Sequence, residues 1–341
     1  MKYEAKYYSL KLENPFGISR GTKTESPCVI LKLDNGWGES APYKLYGETP
    51  DSVLENMQIL SKFEKINYEE FRPFIEKIYA LLPHSHSTKT AIDLAVWDNV
   101  GKIYNLPVYK LLGLSPSSAP VSSYTIGIDT IDKMLEKTEK AKSYPILKLK
   151  VGFDNDIEVL KEIRKIYSGK IRVDANAAWT VDIAMEKMKK LADLNVEFVE
   201  QPLDKNDING QAELFTKAPL PIILDESILN SKDVIKWSAV CHGINIKLMK
   251  CGGILEALKM IEIARGFDLK IMLGCMIESS IGISAAAQIA PLVDYIDLDG
   301  NVLITNDPFD GYKIDENGKF SYNNKPGLGI TLKNNIKWEE L

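Results

Sequence analysis

From about residue 121 onward, short β-rich runs alternate with helical stretches, and this alternation restricts the possible folds more than any other feature of the sequence. Alternating β and α segments indicate parallel strands joined by crossover helices. Eight such runs fit a closed barrel better than an open sheet. The predicted strands are 121–128, 146–151, 171–174, 196–200, 221–224, 243–246, 270–273 and 295–298.

The residues before this alternation follow a different rhythm. A β-rich run at 28–33 precedes Asp34-Asn35-Gly36, a hairpin signal, and Thr49 before Pro50 marks a helix start. We therefore predict an α/β protein in which an α+β unit precedes a closed barrel of eight parallel strands. The expected division is 1–115 for the α+β unit, 116–305 for the barrel, and 306–341 for a C-terminal segment that packs back on the first unit.

The amino-acid composition argues against several classes of partner. With 42 basic and 47 acidic residues the net charge is -5, so no basic excess exists to neutralise nucleic acid. Neither a signal peptide nor an apolar run of the ~18 residues that a membrane span needs is visible. The four cysteines form no CxxC pair, which is typical of free thiols. We expect a soluble cytoplasmic protein without nucleic-acid or membrane partners, and a homo-oligomer is left open.

Charged residues recur at the ends of the predicted strands. Lys148, Asp174, Glu200, Asp225 and Lys247 follow one another at intervals of 26, 26, 25 and 22 residues, one β/α unit each time. Barrel enzymes place their chemistry at the C-terminal ends of the strands, so these side chains should converge on one face. Any single one is typical of a strand end that meets water, but five in succession favour a functional site.

The three carboxylates Asp174, Glu200 and Asp225 predict a metal site. Converging carboxylates repel one another unless a cation joins them. Ligands that are all oxygen atoms favour a hard ion, for which Mg²⁺ is the default. Zinc is disfavoured because no cysteine or histidine accompanies the three.

The lysines predict proton transfer. Lys148 and Lys150 share one side of their strand because strand side chains alternate, and Lys247, four strands further on, lies across the barrel. Lysines on both sides of a metal-bound substrate can move a proton on either face of a carbon. For one of these lysines to act as a base, its pKa would have to fall from the usual ~10.4 to ~7–8. A clamp for phosphate or carboxylate is the alternative for the pair, and it suits Lys148 better than Lys150.

With these residues the chain resembles the enolase superfamily, in its muconate-lactonizing subgroup. The resemblance implies a modified TIM barrel, (β/α)7β, with residues 1–115 as an α+β capping domain. It also implies Mg²⁺ on Asp174, Glu200 and Asp225, acid/base catalysis by Lys150 and Lys247 on opposite faces through an enediolate, and Lys148 near the substrate carboxylate. The motifs that carry it are Lys148-Leu149-Lys150, Asp174-Ala175-Asn176, Glu200-Gln201-Pro202, Asp225-Glu226-Ser227 and Asn245-Ile246-Lys247-Leu248-Met249-Lys250.

Within that subgroup, Asp297-Leu298-Asp299 resembles the Asp-x-Asp motif of dipeptide epimerases, which binds the free α-ammonium of the substrate. The segment 274–279 around Met276 also resembles that group, and Met276 is a predicted substrate-binding residue. The resemblance implies epimerisation at the C-terminal residue of a dipeptide, of L-Ala-D/L-Glu or a related type. Two carboxylates on one side of a strand independently make a site for a cation.

Two loops of the capping domain, 17–25 and 42–48, are expected to set specificity. Arg20 is the first candidate for a substrate side-chain carboxylate, with Lys23 and Lys44 as rivals. N-acylamino-acid racemase, o-succinylbenzoate synthase or cycloisomerase activity is the nearest alternative. Those substrates lack the ammonium that Asp297 and Asp299 would bind. A non-catalytic metal-dependent binding protein is a more distant alternative, which would not need lysines on both faces.

Overall fold

The chain begins with three antiparallel strands in the computed structural model, which describes residues 1–340. β1 (Tyr3–Ile18), β2 (Gly21–Leu33) and β3 (Gly36–Ser40) pair in that order. The predicted hairpin is present, with Leu33 paired to Gly36 and a positive φ of 49° at Asp34. Gly36 itself is needed for a close approach, since a Cβ there would lie 2.1 Å from the carbonyl oxygen of Ala95.

Four helices complete this N-terminal unit, and we call β1–β3 with these helices the cap. The helices are α1 (Pro50–Met57), α2 (Phe71–Leu81), α3 (His86–Ile103) and α4 (Val108–Leu111). The hydroxyl of Thr49 accepts a hydrogen bond from the Ser52 amide and caps α1, as predicted. Helix α3 is buried over nearly its whole length, because it packs against β2 and β3 on one side and the barrel on the other.

Eight parallel strands form one sheet in chain order, and a helix or helix pair follows each strand except the last. The first and eighth strands meet where Ser122 bridges Ile296 and the Ser123 amide donates to the Ile296 carbonyl at 3.1 Å. The predicted (β/α)7β class is therefore confirmed. The strands are β4 (Tyr124–Ile126), β5 (Ile146–Lys150), β6 (Lys170–Asp174), β7 (Val196–Glu200), β8 (Ile222–Leu224), β9 (Gly243–Lys247), β10 (Lys270–Gly274) and β11 (Tyr295–Asp297).

The crossover helices surround these strands, and the shell and the sheet together are called the barrel. A pair, α10 and α11, fills the connection between β9 and β10. The helices are α5 (Ile131–Lys140), α6 (Asp156–Ile166), α7 (Val181–Asp193), α8 (Ile208–Lys217), α9 (Ser231–Trp237), α10 (Leu248–Cys251), α11 (Ile254–Gly266) and α12 (Ser280–Ile289). Among residues 1–340, no helix combines the length and apolar character needed to cross a membrane.

The last part of the described chain contacts the cap. It contains the two short strands β12 (Phe309–Asp310) and β13 (Thr331–Leu332). The ring of Trp37 in β3 packs edge-on against Phe309 and Trp338, each at 5.0 Å between centroids. The Leu328 amide donates to the Asp98 carboxylate in α3 at 2.9 Å. The division of the chain at 115/116 and 305/306 stays a prediction.

Candidate active site

The C-terminal ends of the barrel strands bring the predicted charges into one layer. Lys150 is paired in register with Asp174, and Asp174 with Glu200. On the other side of the barrel, Gly274 at the end of β10 is paired with both Lys247 of β9 and Asp297 of β11. Because parallel neighbours end at matching positions, the spacing of one β/α unit in the sequence becomes a ring of side chains in space.

The three predicted metal ligands converge. Asp174, Glu200 and Asp225 are buried, and each offers an oxygen within 4.8 Å of the others. Burial and the Asp174 charge raise the pKa of Glu200 to about 7. Burial opposes ionisation of Asp174 too, but Lys150 and Lys148 hold its pKa at about 2.

These ligands fit a hard divalent cation. Oε2 of Glu200 lies 2.7 Å from Lys148 Nζ but without hydrogen-bond geometry, so this buried oxygen has no hydrogen-bond partner. The donors are all carboxylate oxygens, and no thiol or imidazole belongs to the cluster. That chemistry suits Mg²⁺ and disfavours zinc.

Three lysines surround the carboxylates. Lys148, almost fully buried, lies 2.9 Å from Asp297 and 3.3 Å from Asp174. Lys150 donates to Asp174, and Lys247 donates to Asp225 at 2.8 Å. Lys150 and Lys247 belong to the second and sixth barrel strands, so they reach the centre from opposite sides.

A fourth lysine, for which the sequence predicts no role although it ends the motif at 245–250, completes the surroundings of Asp225. Lys250 is 1% exposed, and its Nζ contacts Oδ1 of Asp225, the Asp225 carbonyl and, at 3.0 Å, the Asn245 carbonyl. Asn245 in turn donates to Oε1 of Glu200 at 2.8 Å. A lysine inside the apolar start of a helix was the available signal, since such a charge needs a buried partner.

The eighth strand supplies a pair of buried carboxylates. Asp297 accepts from the Ser123 hydroxyl at 2.6 Å in addition to its contact with Lys148. Asp299 accepts from the Thr125 amide at 2.7 Å. Within residues 1–340 it forms no ion pair, and burial together with the Asp297 charge raises its pKa to about 7. A cation that arrives at this strand end therefore finds a carboxylate without a basic partner.

The cap closes a cavity of about 300 Å³ over the strand ends. Arg20 reaches it from the turn between β1 and β2, where its guanidinium donates to Glu226 and to the Asn176 carbonyl, both at 2.7 Å. Lys44 does not line the cavity. The predicted site residues that line it are Arg20, Lys148, Lys150, Asp225, Lys247, Met276, Asp297 and Asp299, and the cap adds Lys23, Tyr43 and Tyr46.

Two family models match the sequence. Residues 4–113 match the mandelate racemase/muconate lactonizing enzyme N-terminal domain. Residues 131–336 match the enolase C-terminal domain-like family. The two matches together cover most of the cap and the barrel.

Curated relatives of similar length match nearly the whole chain. An L-Ala-D/L-amino acid epimerase from a Maribacter species is 38% identical over 97% of this chain and 99% of its own. The L-Ala-D/L-Glu epimerase of Bacteroides thetaiotaomicron is also 38% identical, over 95% of this chain and 86% of its own.

Solved structures share the fold over the same extent. The dipeptide epimerase from Enterococcus faecalis, complexed with Mg and L-Leu-L-Tyr, superposes with a TM-score of 0.90 at 31% identity. This superposition covers 97% of this chain and 99% of the Enterococcus faecalis chain. A substrate complex of the Bacillus subtilis L-Ala-D/L-Glu epimerase gives 0.90 at 29% identity, over 97% and 98% of the two chains.

Proposed function

Because the chain belongs to the mandelate racemase/muconate lactonizing enzyme family of the enolase superfamily, we propose that it is a Mg²⁺-dependent dipeptide epimerase. The reaction is a 1,1-proton transfer at the α-carbon of the C-terminal residue. The observation that carries the proposal is the placement of Lys150 and Lys247 on opposite sides of one cavity. Epimerisation needs a group that takes a proton on one face and a group that gives one on the other.

The two lysines exchange roles with the direction of the reaction. In one direction, Lys150 removes the α-proton from one face and Lys247 donates a proton to the other face. In the reverse direction, Lys247 removes the proton and Lys150 donates one. Loss of the α-proton leaves an enediolate, whose negative charge develops on the substrate carboxylate. Lys148 adds a fixed positive charge next to that region.

Asp174, Glu200 and Asp225 would hold the metal ion. When bound, Mg²⁺ supplies positive charge at the substrate carboxylate, where negative charge develops as the α-proton leaves. The same three residues also hold Lys148, Lys150 and Lys247 through ion pairs, so the ligands help to orient the proton-transfer groups.

A dipeptide also carries a free ammonium, which acyl amino acids lack. Asp297 and Asp299 line the cavity and offer carboxylates to that ammonium. The relatives named as dipeptide epimerases support this assignment, and the Enterococcus faecalis structure contains Mg and a dipeptide. The proposed substrate class is therefore a dipeptide with a free N-terminus.

The direct test is deuterium uptake. The protein is incubated with Mg²⁺ and a dipeptide library in D₂O, and exchange at the α-carbon is followed by NMR. We expect exchange and epimerisation at the C-terminal residue, and loss of both in EDTA. Exchange of N-succinyl or other N-acyl amino acids in preference to free dipeptides would replace this proposal with acylamino-acid racemase activity.

A further inference from the structure

The turn after β6 has a backbone conformation that side chains disfavour. Asn176 and Ala177 follow one another with positive φ angles of 45° and 63°. Asparagine tolerates this left-handed region, but in alanine the Cβ comes too close to the following carbonyl oxygen. Such a residue persists only where surrounding contacts hold it in place. The Asn176 amide donates to Oδ1 of the metal ligand Asp174 at 2.9 Å, so the orientation of this ligand depends on the strained turn.

The cap holds this turn through Arg20. The guanidinium donates to the Asn176 carbonyl and to Oε1 of Glu226, both at 2.7 Å. The Asn176 side-chain amide donates to the same Oε1 at 3.2 Å, which closes a ring of three contacts. The Ser19 hydroxyl adds a longer hydrogen bond to the Asn176 carbonyl, at 3.3 Å. A hairpin of the cap thus supplies the contacts that hold a left-handed turn of the barrel.

The contacts of Arg20 end beside two of the three metal ligands. Asn176 lies two residues after Asp174, and Glu226 directly follows Asp225. Glu226 is 3% exposed, and within the described chain its Oε2 has no hydrogen-bond partner. Arg20 is the one cation that pairs with this carboxylate within residues 1–340, so its removal would leave a buried charge unpaired.

A substrate would have to compete with the protein for Arg20. The sequence predicts that Arg20 binds a side-chain carboxylate of the dipeptide, and Arg20 does line the cavity. Its guanidinium is already paired with a protein carboxylate through one nitrogen, and a second nitrogen donates to a backbone carbonyl. A substrate carboxylate would gain this cation only by leaving Glu226 buried without one. The geometry therefore favours a role of Arg20 within the protein.

We propose that Arg20 is a positioning residue for the metal site, which holds the turn at 176–177 so that Asp174 keeps its orientation toward Mg²⁺. This inference rests on the metal site of the proposed function and deepens it, because it gives a loop of the cap a part in metal binding. Partners that orient metal ligands typically contribute 10- to 100-fold in affinity. Because removal of the Arg20 charge would by itself favour a cation, weaker Mg²⁺ binding would separate positioning from electrostatics.

Isothermal titration of Mg²⁺ without substrate tests this role. We expect about tenfold weaker binding in Arg20→Met than in the wild type. Arg20→Lys keeps the charge but lacks the fork that reaches two acceptors, so it should also bind Mg²⁺ more weakly. Arg72→Met is the matched control and should bind as the wild type does, because Arg72 is an exposed arginine of the cap outside the cavity.

Ala177→Gly tests the route through the turn. Glycine adopts a positive φ without the Cβ penalty, so this substitution should recover part of the lost affinity when it is combined with Arg20→Met. Removal of one half-buried methyl group would not repair a general defect of the fold. A double variant that binds Mg²⁺ no better than Arg20→Met would overturn the inference.

The remaining outcomes separate this inference from the proposed function. Wild-type or tighter Mg²⁺ binding in Arg20→Met, or wild-type binding in Arg20→Lys, would overturn the positioning role. Unchanged Mg²⁺ affinity together with a loss of kcat/KM in Arg20→Met for L-Ala-L-Glu but not for L-Ala-L-Gln would assign Arg20 to the substrate side chain, and the epimerase proposal would stand. A wild-type protein that binds no Mg²⁺ would instead overturn the metal site of the proposed function.

Discussion

The two oxygens of the Asp225 carboxylate are held by different lysines. Oδ2 accepts from Lys247, which faces the cavity, and Oδ1 accepts from Lys250, which is buried behind it. Lys250 also donates to two backbone carbonyls, so its position is fixed by the residue that follows β8 and by the middle of β9. Asp225 therefore keeps Lys250 as an ion-pair partner, and Lys250 is not one of the two lysines proposed to transfer protons.

Replacement of Lys250 by methionine should therefore weaken Mg²⁺ binding. Partners that orient metal ligands typically contribute 10- to 100-fold in affinity, and we expect about tenfold here. Removal of the Lys250 charge would by itself strengthen Mg²⁺ binding. Weaker binding in the variant would therefore show that Lys250 acts mainly by orienting the Asp225 carboxylate. Isothermal titration of Mg²⁺ measures it, with Lys259→Met on the exposed face of α11 as the control. Unchanged or tighter binding would contradict this role.

Lys150→Ala and Lys247→Ala should each abolish epimerisation. Removal of a positioned acid or base costs about 10²–10⁴ in rate. Each variant keeps the lysine of the other face, so each should still exchange the α-proton of one stereoisomer of the dipeptide. NMR in D₂O with the two pure epimers, measured separately, tests this. Two variants with the same stereochemical preference would rule out lysines on opposite faces.

The site could be predicted from the sequence wherever a side chain ends a parallel strand. Asp174 and Glu200 are such residues, because register alone places them side by side. The contacts of Lys250 with Asp225 and of Arg20 with Glu226 could not be predicted in this way. They depend on how a short helix turns back and how the cap hairpin folds over the barrel, and neither leaves a periodic pattern.

At the scale of elements, two cap carboxylates hold the starts of two barrel helices. Glu39 in β3 accepts from the Ser279 amide and hydroxyl and from the Gly282 amide at the start of α12. Asp93 in α3 accepts from the Ile254 amide at the start of α11. The first amides of a helix have no partner within the helix, and its N-terminus attracts negative charge. The cap and the barrel are therefore joined through helix termini as well as through apolar packing.

This junction should make stability depend on pH. Burial raises the pKa of Glu39 from its usual 4.5 to about 7, although the Ser279 and Gly282 hydrogen bonds oppose the shift. The folded state then binds this proton more tightly than the unfolded state does. The contribution of Glu39 to the free energy of unfolding is largest at acidic pH and falls as pH rises from about 4.5 through about 7, by an amount on the order of a few kcal/mol.

Glu39→Gln should flatten that dependence, because the variant lacks the titrating group. Urea denaturation at pH 5 and at pH 8 gives the free energy of unfolding of both proteins. We expect a smaller decrease between the two pH values in Glu39→Gln than in the wild type. Glu55→Gln, an exposed position on α1, serves as the matched control and should keep the wild-type slope. Equal slopes in Glu39→Gln and the wild type would place the pH dependence elsewhere.

The elements could be predicted where their apolar runs are uninterrupted. The strand predicted at 196–200 has those bounds in β7, whereas the run at 121–128 shortens to β4 (Tyr124–Ile126). The hairpin at Asp34 was predicted from turn chemistry, but the reason for Gly36 was not. Gly36 is required because α3 packs closely against it at Ala95, 59 residues later in the sequence. Contacts between residues so far apart in the sequence leave no local pattern.

At the scale of the whole molecule, the cavity is nearly balanced in charge, with two exceptions. Lys23 of the cap and Asp299 of the barrel line the same cavity, and neither forms an ion pair within the described chain. The free ammonium of a dipeptide complements Asp299. The cap and the barrel thus each supply one of the two unpaired charges.

Asp299→Asn tests the barrel half of this arrangement. The neighbouring Asp297 already has a cation, because Lys148 Nζ lies 2.9 Å away, so the substrate ammonium is expected to rely on Asp299. Hydrogen bonds to charged groups contribute ~1.5–3 kcal/mol, and the variant should lose roughly ten- to hundredfold in kcat/KM for a free dipeptide. An N-acetylated dipeptide has no ammonium; it should be a poor substrate of the wild type and lose little more in the variant. The difference between the two substrates separates recognition of the ammonium from a general disturbance of the eighth strand. Equal losses on both would remove Asp299 from substrate recognition and leave it as a hydrogen-bond partner of the Thr125 amide.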